Sequence, residues 1–174
     1  MSGGSPALWS PAFRNLFVAR VVSVFGDGLV LVALAAGSVA GGLASLARPA
    51  RRPLAVGYTL SLGYCVLLVA IALELPLALI AVAAALAGAG LAYSEILYEA
   101  AVQEHVPGRV IARVSAWDWL GSTMTRPIGF AAVGPIAAAT GASTTLAVAA
   151  GVTAAATCAA LLVPDVRNLT HAER

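Results

Sequence analysis

Glu95 and Glu99 stand four residues apart in a stretch that is otherwise apolar. On a helix this spacing puts both carboxyls on one face, a single turn from each other. Two carboxyls crowded into a poorly solvated place raise the pKa of one of them, which suits a proton- or cation-coupling pair. The plainer reading, and the preferred one, has both near the end of a helix and bonded to arginines of the next loop, Arg109 and Arg113. Asp118 and Arg126 are opposite charges eight residues apart, about 12 Å along a helix axis and too far to bond each other. Each therefore needs a partner on another helix. Arg126, just before Pro127, is either an anion-binding group or, by preference, the partner of a carboxylate on the preceding helix. Asp27, between Gly26 and Gly28, is the last charge of this kind. An ionisable group at membrane depth costs about 2.5–3.5 kcal/mol or more, so each of these five residues needs a reason to be there. Asp27, Glu95, Glu99, Asp118 and Arg126 are the candidate transport or ion-coupling residues.

Other chemistry finds little to work with. The sequence has no lysine, so a phosphate loop of the glycine-rich, lysine-tipped kind is excluded. His105 and His171 have no metal-binding neighbours at suitable spacing, and Cys65 and Cys158 lie in apolar runs as small hydrophobes. No enzyme activity, metal site or cofactor is expected.

The elements that must carry these charges follow from composition. Of 174 residues, 60% are hydrophobic and only 10% charged, and the mean hydropathy is +0.92. Soluble domains carry about a quarter charged residues, and a chain of this size still exposes roughly a third of its surface. A water-soluble enzyme, a nucleic-acid binder and a disordered chain are all excluded, and the partner implied is the lipid bilayer. Charge-free stretches long enough to cross the hydrocarbon, about 20 residues, predict helices over 21–47, 54–73, 76–99, 114–139 and 144–163. With 40 alanines and no period-two alternation, strands are not expected. The fold class is all-α, a polytopic membrane helix bundle of about five spans over 21–164, between hydrophilic tails at 1–20 and 165–174. Gln103–Arg109 reads as the longest loop, and Thr140–Thr144 as a polar turn between the last two helices. Trp117, Trp119 and Tyr58 read as interfacial anchors. Gly37-xxx-Gly41 and Gly121-xxx-Thr125-xxx-Gly129 read as small-residue faces for close helix contact.

Arginines mark the cytoplasmic side of a membrane protein. Arg167 and Arg174 put the C-terminal tail inside, and counting back puts Arg109 and Arg113 inside, the Glu74 turn outside, and Arg48, Arg51 and Arg52 inside. The next step requires the N-terminal tail to be outside, yet it carries Arg14 and Arg20. Four resolutions follow: translocation of a weakly basic tail, a re-entrant hairpin bent at the glycines of 21–47, a junction between segments that were never neighbours, or a cleaved leader ending near Ala33-Leu34-Ala35.

Several of these segments form a recognisable series. Gly41-Gly42-Leu43, Arg48 and Arg51-Arg52-Pro53-Leu54 resemble the loop between helices eight and nine of major facilitator superfamily transporters. E-H-V-P-G-R-V-I-A-R-V-S-A-W-D-W-L-G-S (104–122) resembles the region from loop ten into helix eleven of one branch, the bacterial drug and siderophore exporters that include enterobactin exporters. R-P-I-G-F-A-A-V-G-P (126–135) and L-L-V-P-D-V-R (161–167) continue the likeness through helices eleven and twelve. F-R-N-L-F-V-A-R-V-V-S-V-F-G-D-G-L (13–29) is similar to the start of helix one in the same branch. The resemblance implies a partial major-facilitator fold in the bacterial inner membrane, in which the start of helix one is joined to the end of helix eight. It also implies export of small hydrophobic molecules by proton exchange. A homo-oligomer, or helix–helix association with a full-length transporter, is the alternative, in which the chain itself transports nothing.

Overall fold

The computed structural model of the chain describes residues 11–47 and 52–163. They form five helices: α1 (Pro11–Ala47), α2 (Pro53–Ala72), α3 (Leu77–His105), α4 (Gly108–Thr140) and α5 (Ala142–Leu162), with no strand among the described residues. The architecture is all-α. Arg48 and Arg51 of the basic loop, and the C-terminal tail with Arg167 and Arg174, lie outside the described residues.

Proline sets where most of these helices begin. Pro53 opens α2, while Pro76 and Pro107 sit immediately before α3 and α4 with φ of −52° and −56°. A fixed φ near −65° and a missing N–H suit the start of a helix, where the first amides have no partner within it. Between α2 and α3 the chain turns at Glu74, whose φ of 51° is the one positive value at a non-glycine among the described residues. Between α4 and α5 only Gly141 is non-helical. Its φ of 89° is a conformation that glycine alone adopts without strain.

Several elements run further than the charge pattern predicts. α1 starts at Pro11, so residues 11–20 of the expected tail are helical. It continues unbroken to Ala47, which removes the re-entrant hairpin. The expected loop Gln103–Arg109 shrinks to Val106 and Pro107, because Gln, Glu and Arg are good helix formers and only the proline stops the helix. Arg109 and Arg113 consequently lie in α4.

α3 is the centre of the bundle. A side chain on Gly37 would overlap the Ala85 backbone, one on Gly41 would overlap that of Ala89, and Gly88 is pressed in the same way against Leu34. This register rises together on both chains, so α1 and α3 are parallel and in backbone-to-backbone contact, the arrangement that small residues four apart permit. On its other side α3 meets α2 antiparallel, with Gly90 against Leu60 and Gly57 against Ser94. The core is made by Leu67 and Ala70 of α2 and Ala83, Ala84 and Ala87 of α3, with Val30 and Leu34 of α1 packed onto it. α5 lies on α2 and buries Ala150 and Thr157. Cys158, next to Thr157, is exposed, and Cys65 is half-buried.

α4 is the outlier. It has no buried residue along its 33 positions, and it touches only α5 and, near the Pro107 turn, α3. Pro127 and Pro135 lie inside it. Each removes an amide donor and leaves the carbonyl four residues earlier without its helical partner. The Gly121-xxx-Thr125-xxx-Gly129 face meets nothing, since both glycines look into open space.

Large apolar side chains cover the outside, Phe25 at 76% exposed and Leu46 at 79% among them. In water such a surface would be far larger than the apolar patches that monomers tolerate. Four helices, α1, α2, α3 and α5, are long and apolar enough to cross a membrane. α4 is long enough but carries Arg109, Arg113, Asp118 and Arg126. Hydroxyls at depth bond within their own helices: Ser38 donates to Leu34 O at 2.9 Å, Ser61 to Tyr58 O at 2.8 Å and Thr125 to Gly121 O at 2.7 Å. The architecture is that of a multi-pass helical membrane protein.

Candidate functional site

With α1 and α3 parallel and α2 antiparallel to them, the end of α1, the start of α2, the end of α3 and the start of α4 share one end of the bundle. Arg52, Arg109 and Arg113 are exposed there, and the Glu74 turn is at the opposite end. Glu95 and Glu99 fall toward the arginine end, on one stripe of α3. Leu91, Glu95, Tyr98, Glu99 and Val102 follow the i, i+4, i+7, i+8, i+11 spacing of a single helix face.

Tyr98 joins two clefts. One, of about 180 Å³, lies between α2 and α3 and is lined by Leu54, Gly57, Tyr58, Ser61, Ser94, Glu95 and Tyr98. The second, of about 540 Å³, opens between α3 and the first half of α4, where Tyr98, Glu99, Val102 and Gln103 face Ser115, Asp118 and Trp119. The Tyr98 hydroxyl donates to Asp118 Oδ1 at 3.4 Å, a long hydrogen bond that ties α3 to α4. Ser94 does not offer its hydrogen to the first cleft, because its Oγ donates to Leu91 O at 2.8 Å. Its walls are therefore one carboxylate, two phenols and apolar surface, a lining suited to an amphiphilic or weakly basic small molecule.

The five candidate residues separate. Glu95, Glu99 and Asp118 gather around Tyr98. Asp27 does not join them: it is exposed at the level of the Glu74 turn, in a groove with Val22, Gly26, Val30, Ile71 and Leu77. That position at the end of the bundle relieves the cost of burying its charge. Arg126 is exposed on α4 away from both clefts, and no ion pair or hydrogen bond joins it to a carboxylate of α3 among the described residues. Glu95 and Glu99 likewise form no ion pair with Arg109 or Arg113 among the described residues. The expected loop has become helix, and it carries both arginines along α4 rather than back over α3. Tyr98 is the residue that the sequence reading passed over. Its position three after Glu95 and one before Glu99, on the same face, is the signal that marks it. No group of three or more His, Cys, Asp or Glu side chains converges as a metal site among the described residues.

The chain matches no family model, no curated protein and no solved structure.

Proposed function

We propose that the chain is a partial transporter of the major-facilitator type. It takes small hydrophobic molecules into the clefts beside Tyr98, in a bacterial inner membrane, with the arginine end in the cytoplasm. Glu95 and Glu99 exchange the coupling proton, Asp118 and Tyr98 hold α4 against α3, and Trp119 supplies an aromatic wall. The observation that carries this reading is the gathering of three carboxylates around one tyrosine, between helices otherwise built for lipid. Acidic groups at such a depth are a functional signature by default. Expression in a bacterial host stripped of its own efflux pumps tests it. Resistance to lipophilic compounds should appear with the wild-type chain and vanish with Glu95→Gln. If the host stays as sensitive with the chain as without it, transport by this chain alone is refuted.

A second reading is favoured by a different observation. α4 has no buried residue and carries Asp118 and Arg126 well inside its length, as does a helix whose packing partner belongs to another chain. On this reading the protein is an associating membrane bundle that transports nothing by itself.

A further inference from the structure

Arg126 sits far from both ends of α4. It lies about 27 Å from the start of the helix at Gly108 and about 21 Å from its end at Thr140. With α4 across the membrane, as the five-span reading has it, the side chain reaches neither interface by extending along the helix, the usual escape for an arginine in a membrane. Its side of α4 carries Phe130, four residues after it and 78% exposed, while Trp119, seven residues before it, lines the cleft toward the chain's own α3. Glu95 on α3 is the mirror case: an exposed carboxylate with no ion pair among the described residues, on a stripe with Leu91 and Tyr98.

The depths of these two charges match. The Tyr98–Asp118 hydrogen bond sets residue 118 of α4 level with residue 98 of α3, near the Pro107 turn. Counted from that point with α4 laid antiparallel along an α3, Arg126 is level with residue 90, so Glu95 and Arg126 differ in depth by about 7.5 Å at the backbone. Side chains on a helix lean toward its N-terminus. Because the helices run oppositely, Arg126 leans toward the arginine end and Glu95 leans away from it, and the two converge in depth. Among the other acids, Glu99 lies about 6 Å further from Arg126 than Glu95 does, Asp118 accepts from Tyr98, and Asp27 is at the far end of the bundle.

We infer that α4 packs against α3 of a second copy of this chain, with Arg126 of one copy paired to Glu95 of the other. This inference rests on the association reading and takes no step from transport. Two copies in the same membrane orientation, with the Arg52, Arg109 and Arg113 end of each on one side, bring their α3 and α4 stripes to the same level. A two-fold axis along the membrane normal then makes the contact twice, α4 on α3 and α3 on α4, the self-complementary geometry of a closed dimer. Each contact pairs two charges that have no ion pair within the described residues of one copy, and covers Phe130.

The test is cross-linking in native membranes. Two differently tagged chains, both with Cys65→Ala and Cys158→Ala, are co-expressed, one with Glu95→Cys and the other with Arg126→Cys. They are then treated with a bis-maleimide whose spacer spans a Glu–Arg pair. A mixed-tag product is expected, and none when Glu74→Cys replaces Glu95→Cys. Absence of the mixed-tag product overturns the inference. So does a cross-link found only within single chains that carry both cysteines, which assigns α4 to its own α3. Charge reversal gives a second measurement that removes no side chain. The dimer in mild detergent should be lost with Arg126→Glu and regained with Glu95→Arg/Arg126→Glu, and a dimer indifferent to the single reversal overturns the pairing. Both readouts stand whether or not the chain confers efflux.

Discussion

At the scale of single residues, glycines and one tyrosine do most of the positioning. Gly37 and Gly41 let α1 lie against the backbone of α3, whereas Gly121 and Gly129 of α4 meet nothing. Gly37→Leu should therefore force the two helices apart at a cost of about 1–3 kcal/mol. Gly121→Leu should stay within about 0.5 kcal/mol. Unfolding of the purified protein in detergent measures both, and equal effects would contradict the packing. The sequence contains both small-residue patterns and offers no means of ranking them. The difference lies in what faces each glycine, which only the tertiary arrangement decides. The Tyr98–Asp118 hydrogen bond predicts a modest effect of another kind. At 3.4 Å and exposed, it should contribute no more than about 1 kcal/mol. Tyr98→Phe should barely change unfolding, yet free the first half of α4, seen as faster hydrogen exchange at 108–118 than in the wild-type chain.

At the scale of elements, the sequence located all five helices but not where they stop. Runs without charge gave the spans, because lipid tolerates little else, while the polar residues beside them read as loop. Gln103, Glu104 and Arg109 are helical, since polarity ends an apolar run without ending a helix and their helix propensity prevails. Proline and glycine were the reliable marks, and Pro107 and Gly141 each sit at an observed break. Gly141 leads to a direct prediction. At a φ of 89° a β-branched residue is strained, so Gly141→Val should cost on the order of 1 kcal/mol or more. It should also splay α4 from α5, where Thr140 and Thr145 meet at 3.0 Å across the turn. A lowered unfolding temperature, matched by reduced cross-linking between cysteines introduced at Thr140 and Thr145, is the expected result. For the candidate site, the pair Glu95–Glu99 was visible as spacing on one helix. Its neighbours Tyr58, Ser61 and Trp119 come from two other helices, and no local pattern joins them.

At the scale of the whole molecule, composition named the solvent. A chain that leaves Phe25 three-quarters exposed and buries mostly alanine holds together by backbone proximity rather than by a bulky core, as helices in lipid do. The orientation problem posed by Arg14 and Arg20 has a geometric answer in α1. It is one continuous helix parallel to α3, so its start and its end lie on opposite sides of the bundle. Reporter fusions should accordingly place the two termini on opposite faces of the membrane, the C-terminus in the cytoplasm and the N-terminus outside. Two cytoplasmic termini would mean an even number of crossings, with the charged α4 as the helix that does not cross. Gly26 packs on Leu77 near the start of α3, so residues 11–25 extend about 22 Å past the beginning of α3.

The pairing of α1 with α3 rather than with α2 also sets an order of events during synthesis. Gly41 cannot find Ala89 until 48 further residues have been made, a wait of about 2–10 s at ordinary rates of translation. Throughout that interval α1 is in the bilayer with its narrowest face turned to acyl chains, and α2 has already been threaded in before the contact closes. Assembly is thus a delayed capture: α1 is held in reserve until α3 arrives. Any slowing of the ribosome between codons 42 and 89 prolongs the period in which α1 is open to other helices or to membrane quality-control proteases.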